Sequence, residues 1–367
     1  MAQIRFTHGS RHPARDGKQI ITSVTLPELT SLLTTEGIPT YRARQILEWV
    51  YQHKVTTFET MTNLPISLRQ YLGKHWILRA GQVIKTLTSS DGTQKMLIKL
   101  KDGTNIETVL MSEGKYRTMC LSSQVGCPVC CRFCASGQRG LVRNLEPYEI
   151  VEQIQLAPLA VRRLNLVIMG MGEPLLNYTN LVKALEIITV EWGLNISPKR
   201  ITLSTVGIPD KIRQLSREPV SLVPNLALST HAPNDVLRRK LIPFAHLTPL
   251  AKLITALREY HLKTGREITF EYLLLGGVND ATTQAEELAD LIKGRGAKVN
   301  LINYNTVAGL PDKPSEHIRY AQCEPAQVLK FQEVLRARGI LAFIRKSKGQ
   351  DIAAACGQLA LSTIQNS

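Results

Sequence analysis

Residues Met119 to Gly140 read MCLSSQVGCPVCCRFCASGQRG and carry five of the chain's seven cysteines: Cys120, Cys127, Cys130, Cys131 and Cys134. The apolar run before them has the pattern of a strand that ends here, and an amphipathic segment follows. The thiols are therefore expected on a loop between strand and helix, where proteins place chemistry more often than packing.

Downstream of Gly140, strand and helix patterns alternate. Strands are predicted at 118–122, 165–169, 200–204, 225–229, 267–274, 298–303 and 341–345. Helical periodicity lies near 147–157, 178–190, 209–216, 248–261, 281–293 and 325–338. Such alternation predicts an α/β fold with parallel strands, either a barrel or a doubly wound sheet. In barrels of this kind active residues sit at the C-terminal ends of strands. The polar and glycine-rich oddities fall there: the cysteine loop, GMGEP at 170–174, STVG at 204–207, STH at 229–231 and NYN at 303–305. They predict one site, open at one face.

Upstream, Arg5, Arg11, Arg15 and Lys18 stand among Pro and Gly and read as a flexible basic arm. Three short helical patterns follow, at 26–33, within TYRARQILEWVYQHK at 40–54, and near 65–72. In the second, Ala43, Ile46, Leu47, Val50 and Tyr51 make an apolar face, with Arg42, Arg44 and Lys54 on the polar side. That face suits either a nucleic-acid contact or a solvated lid. From 82 to 111 the pattern alternates, punctuated by Asp91-Gly92 and Asp102-Gly103, which read as hairpin turns. The expected organisation is a basic arm and helical accessory domain over 1–80, a β-hairpin linker over 81–113, and the catalytic unit over 114–367.

The chain has 367 residues, 45 Lys+Arg against 30 Asp+Glu, and a net charge of +15. Such a balance speaks to partners rather than fold, and in cytoplasm the polyanion to expect is nucleic acid. No apolar run reaches the roughly 18 residues of a membrane span, and the N-terminus lacks a signal core, so a cytoplasmic protein is expected. Clustered cysteines agree with a reducing compartment.

The cysteine loop admits two parses. Cys127-x2-Cys130 beside Cys131-x2-Cys134 suggests four thiolates on zinc, giving a zinc-binding, RNA-binding protein. Zinc knuckles, however, are separated by about a dozen residues or more so that two turns face one ion. Cys127-x3-Cys131-x2-Cys134 places three thiolates on one loop, leaving one iron of a [4Fe–4S] cube free for a ligand. The second parse is favoured, with Cys130 a bystander.

A CxxxCxxC loop after the first strand of a β/α barrel resembles the radical S-adenosylmethionine (SAM) enzymes. CLSSQVGC…CRFCASG, MGMGEPLLN, TLSTVG, HAPND, GVND and IAAACGQL narrow the resemblance to the RlmN/Cfr family of RNA adenosine methyltransferases, from near Tyr41 to Leu359. It implies a partial (β/α)6-type barrel and a [4Fe–4S] cluster on Cys127, Cys131 and Cys134. It also implies two SAM molecules per turnover, contacted by Gly172, Glu173, Ser204, Ser229, Thr230, His231 and Asn305.

Carbons 2 and 8 of adenine are electron-poor, so ordinary transfer of a methyl cation cannot work there. The resemblance implies that Cys356 takes a methyl group from one SAM. A radical made from the second SAM activates that methyl, which joins the base. Cys120 then releases the product by forming a disulfide with Cys356, and Glu107 is the candidate base. Implied substrates are 23S ribosomal RNA and transfer RNA, with flavodoxin as a possible electron donor and a monomeric state. Pro174-Leu175-Leu176-Asn177 looks like the carbon-2 type; the alternative is carbon 8 of the same rRNA base, as in the antibiotic-resistance members. Cys323 has no counterpart and is expected to be structural. Two departures stand out: the family's G-D-D-I-D-A-A-C reads GQDIAAAC at 349–356, and NYNTV lacks a proline after Asn305.

Overall fold

The computed structural model describes residues 17–114, 116–138, 140–158, 164–293, 298–307 and 320–359. Arg5, Arg11 and Arg15 of the expected basic arm lie outside them; Lys18 donates to the Gly73 carbonyl at 2.9 Å.

The helical module comprises β1 (Gln19–Ile20), α1 (Leu26–Thr35), α2 (Tyr41–Tyr51), α3 (Ile66–His75) and β2 (Trp76–Ile77), with β1 and β2 paired in parallel. Thr25 and Glu28 form a capping box that starts α1, which satisfies backbone N–H groups the helix cannot. In α2 the buried residues are Ala43, Ile46, Leu47, Val50 and Tyr51, the predicted face.

Next come β3 (Gln82–Thr88), β4 (Gln94–Lys99) and β5 (Asn105–Glu113), antiparallel, with Gly92 and Gly103 at positive φ in the turns. β5 pairs antiparallel with β6 (Tyr116–Cys120), so the hairpins extend the main sheet. After β6 the cysteine loop is framed by a second small sheet, β7 (Gln124–Gly126) with β8 (Leu141–Asn144). The helix expected just after the loop is the single turn α4 (Ala135–Gln138). The Cys127 N–H donates to the Gly140 carbonyl at 2.9 Å, closing the loop on itself and turning the chain back into β8.

The remaining order is α5 (Pro147–Leu156), β9 (Leu164–Ile168), α6 (Tyr178–Thr189), β10 (Ile201–Thr205), α7 (Pro209–Leu215), β11 (Asn225–Ser229), α8 (Asp235–Leu241), α9 (Leu250–Thr264), β12 (Ile268–Leu274), α10 (Thr282–Ile292), β13 (Lys298–Asn303), α11 (Pro325–Ala337) and β14 (Leu341–Arg345). One ten-stranded sheet runs β14-β13-β12-β11-β10-β9-β6-β5-β4-β3. Its strands from β6 through β14 are parallel, seven in all, and the sheet does not close: β14 and β3 are its edges. α10 buries a single stripe, Ala285, Leu288, Ala289 and Ile292. Among the described residues no helix is long and apolar enough to cross a membrane.

The helical module docks on α5, which explains why α5 is buried on nearly every side. Glu152 is the tie: its carboxylate accepts from Thr22 Oγ1 at 2.6 Å, the Ala80 N–H at 3.0 Å and the Gly81 N–H at 2.7 Å. Two of the cations read as possible nucleic-acid contacts serve this docking as well. Arg44 pairs with Glu191 at 2.8 Å, and Lys54 donates to the Ile154 carbonyl at 3.1 Å, at the negative end of the α5 dipole.

Candidate active site

The C-terminal ends of the seven parallel strands open onto one cavity of about 210 Å³. Cys120, Cys127, Cys131, Cys134, Gly172, Glu173, Ser204, Ser229, His231, Asn305 and Cys356 all line it. Of the expected site residues, Thr230 and Glu107 do not. The Thr230 hydroxyl turns back onto the Leu228 carbonyl at 3.2 Å.

Cys127, Cys131 and Cys134 are half-buried and pack against an apolar cluster of their own, including Val129, Phe133, Leu241 and Tyr304. Burial, then the charges of Cys134 and Cys127, hold the Cys131 thiol well above its ordinary value. Burial likewise pushes Cys127 up to about 12. Three thiols crowded in a dry place ionise together only if a cationic core offsets them, and that is the donor set a [4Fe–4S] cluster takes. Among the described residues no His, Cys, Asp or Glu group converges tightly enough for a single metal ion. Cys130 sits at φ +54, exposed, and does not line the cavity, in keeping with a bystander.

GMGEP lies against the strand end that carries the cysteine loop. A Cβ at Gly172, φ +106, would lie 2.7 Å from both Gln124 Cβ and Ser123 Oγ, so only glycine fits. The Glu173 N–H donates to Gln124 Oε1 at 2.8 Å, and its carboxylate accepts from Thr205 Oγ1 and the Val206 N–H, each at 2.8 Å. Burial raises Glu173 to about 7 against those hydrogen bonds. Ser204 and Ser229 hydroxyls stand 3.4 Å apart at the ends of β10 and β11. His231 Nδ1 accepts from the Leu273 N–H at 3.0 Å, and burial lowers its pKa to about 3. The ring is therefore neutral with its proton on Nε2, a donor available to the cavity.

Cys356 is held on a loop that closes the mouth. Gly349 N–H donates to Asp91 Oδ2 at 3.1 Å, while Asp351 accepts from Ser89 Oγ at 2.5 Å and the Ser90 N–H at 3.0 Å. These bonds tie the loop to the β3–β4 turn. On the other side the Ala135 N–H donates to the Gly357 carbonyl at 2.8 Å and Ser136 Oγ to the Leu359 carbonyl at 2.6 Å. Asn305 Nδ2 donates to the Cys356 carbonyl at 3.3 Å, and its Oδ1 accepts from Gln350 Nε2 at 2.7 Å. Ala353 sits at φ +51, a left-handed conformation that costs Ala on the order of 1 kcal/mol.

Cys120 ends β6 beside Val109 and is buried; burial, then the charge of nearby Cys356, pushes its thiol up to about 12. Cys356 faces the open cavity, yet protein crowds around it and raises its thiol, against the charge of Arg345. Both are free thiols. Cys323 is buried, its thiol donating to Asp280 Oδ2 at 3.2 Å.

Glu107 is fully buried on β5, with Lys95 Nζ 3.0 Å from its carboxylate. It shares a strand face with Val109 and Met111, which do line the cavity. Lys95 Nζ also donates to the Ala353 carbonyl at 3.1 Å, linking Glu107 to the loop of Cys356. Sequence reasoning missed Lys95, Asp91, Gln124 and the cations Arg345, Lys346 and Lys348 at the mouth. The basic run RKSK immediately before GQD was a usable signal for the last three.

Comparison with known proteins agrees with this geometry. The Radical SAM superfamily profile matches residues 121–292, and that of the Ribosomal RNA large subunit methyltransferase N-terminal domain matches residues 21–78. The "Dual-specificity RNA methyltransferase RlmN" of Lawsonia intracellularis is 46% identical over 360 residues, covering 94% of this chain and 97% of that protein. A "Probable dual-specificity RNA methyltransferase RlmN" of Thermus thermophilus is 46% identical over 88% of this chain and 89% of its own length. The crystal structure of a radical SAM methyltransferase from Sphaerobacter thermophilus superposes with a TM-score of 0.86 at 42% identity, covering 95% of this chain and 99% of that one. Identity at this level over nearly the whole length leaves no ambiguity: the chain belongs to the RlmN family of radical SAM RNA methyltransferases.

Proposed function

We propose that this protein methylates carbon 2 of an adenosine in 23S ribosomal RNA, and of an adenosine in transfer RNA, by way of Cys356. The observation that carries the reading is that Cys120 and Cys356, far apart in sequence, face the same cavity as the three cysteines of the radical SAM loop. Cys127, Cys131 and Cys134 would hold the [4Fe–4S] cluster, and Gly172, Glu173, Ser204, Ser229, His231 and Asn305 the SAM. The bound cluster supplies the electron that splits SAM into methionine and a 5′-deoxyadenosyl radical.

Cys356 takes the first methyl group as its thiolate, with a proton lost. After hydrogen is abstracted from that S-methyl, its carbon bridges adenine C2 and Cys356 Sγ. Glu107, paired with Lys95 at 3.0 Å, removes the C2 proton. Cys120 attacks Cys356 Sγ, the carbon–sulfur bond breaks, and a disulfide forms. One electron leaves the adduct, for which the cluster would be the acceptor, and the methylene takes up one proton to become methyl as the carbon–sulfur bond breaks. Arg345, Lys346 and Lys348 stand at the mouth as cations for the RNA backbone. A flavodoxin-like reductant, a monomeric state and a cytoplasmic setting complete the reading.

In a Cys120→Ala variant the thioether cannot be resolved, so a covalent RNA–protein adduct through Cys356 accumulates and is seen on denaturing gels and by peptide mass spectrometry. Free methylated RNA at the normal rate would overturn the roles given to both cysteines.

A further inference from the structure

Arg238 is a charge the mechanism above leaves unused. It lies on α8, is 1% exposed, and does not line the cavity. Its Nη2 donates to the Val206 carbonyl and, at 3.2 Å, to the Ser229 carbonyl, the ends of two strands that wall the site. Its Nε–H is buried and has no hydrogen-bond partner among the described residues. Burying an arginine with an unmet donor is costly, and two carbonyl bonds could be made by a neutral side chain.

What α8 packs against supplies a reason. Leu237 and Leu241 sit in the apolar cluster that holds Cys127, Cys131 and Cys134, and the Arg132 N–H donates to the Leu241 carbonyl at 3.1 Å. The guanidinium therefore lies behind the cysteine loop with apolar matter around it, where a charge is felt strongly. Val206, whose carbonyl it holds, gives its own N–H to the Glu173 carboxylate at 2.8 Å, so the guanidinium is one residue removed from the buried acid of the site. Asp235, one turn away on the same helix and half-buried, offsets it in part.

We propose that Arg238 is a positioning charge that sets the reduction potential of the cluster bound by Cys127, Cys131 and Cys134. Three thiolates make the assembly anionic, and reduction adds one more negative charge. A fixed cation behind the loop stabilises the reduced form and raises the potential, so that a physiological reductant can deliver its electron. The inference rests on the radical SAM reading.

The test is a dye-mediated redox titration, followed by electron paramagnetic resonance, on anaerobically reconstituted full-length protein with its iron counted. Arg238→Gln is expected to bind four irons, titrate at a more negative midpoint and give a several-fold smaller reduced signal at a fixed potential. Arg238→Lys should stay near wild type. Asp235→Asn, which keeps its acceptor for the Leu250 N–H, should shift to a more positive midpoint. A wild-type midpoint in Arg238→Gln overturns the proposal, as do equal shifts in the Gln and Lys variants, which would leave only the tie between Val206 and Ser229. Should Arg238→Gln not fold, an unmoved midpoint in Asp235→Asn overturns it. Wild-type protein that holds no iron would instead overturn the radical SAM reading.

Discussion

Lys95 and Glu107 form a fully buried ion pair at 3.0 Å, both side chains 0% exposed, and the same Nζ holds the Ala353 carbonyl at 3.1 Å. Replacing Lys95 with Met removes the cation but leaves the carboxylate in a dry interior. Breaking a buried pair from one side costs about 3–5 kcal/mol, most of it the stranded charge. Lys95→Met/Glu107→Leu removes both charges and fills the space with apolar atoms, which is about neutral for stability. Guanidinium denaturation of the apo chains, followed by circular dichroism, should therefore find the single variant well below wild type. The double variant should recover most of the loss, a strongly non-additive cycle. RNA methylation should be lost in both, because the double variant regains stability but not the base. A Lys95→Met cost under about 1 kcal/mol, or a double variant as unstable as the summed singles, would refute the view that this pair is dry and mutually dependent.

Two other perturbations test separate parts of the account. Burial raises Glu152 from 4.5 to about 7, against hydrogen bonds from Thr22, Gly81 and Ala80. A folded pKa above the unfolded one favours folding most below pH 4.5, and that advantage of about 3 kcal/mol is lost as pH rises to 7. In Glu152→Ala this slope should vanish from denaturation midpoints measured across that range, and an unchanged slope would exclude Glu152 as its source. Lys346→Ala/Lys348→Ala should weaken RNA binding and lower the slope of log affinity against log salt by about 1–2, since each phosphate contact contributes roughly 0.7–0.9; a wild-type slope would remove these lysines from the RNA interface.

Much of the architecture was legible because it repeats with a period. The seven parallel strands lie within two residues of the sequence expectation, and so do the helices between them from α5 to α11, apart from α8 and the end of α9. The site was legible because parallel strands deliver their C-terminal ends to one face, so polar residues at five strand ends had to meet. Short elements were not. The pairing of β7 with β8 spans too few residues for any alternation to register, and α8 is a short helix. Its signal was in HAPND: Asn234 caps it, Oδ1 accepting from the Leu237 N–H at 3.0 Å.

Partners across long sequence separations were also invisible. Arg44 and Lys54 read as cations on the polar side of the helical module, yet Arg44 reaches Glu191 as well as Glu48 of its own helix, and Lys54 reaches the Ile154 carbonyl. Glu107 read as a residue of an alternating strand. Its burial depends on Lys95 from the neighbouring strand and on a C-terminal loop that no local pattern places there. The tie between Asp91, Asp351 and the two loops they join is of the same kind.

The central claim is that Cys356 delivers a methyl group to carbon 2 of adenine. Ribosomal RNA from a host lacking its own enzyme, treated with reconstituted protein, reductant and SAM, should be digested and its nucleosides resolved by mass spectrometry. The account predicts 2-methyladenosine from 23S RNA, absent when Cys356→Ala protein is used. A product carrying only 8-methyladenosine, or 2-methyladenosine made equally well without Cys356, would contradict it.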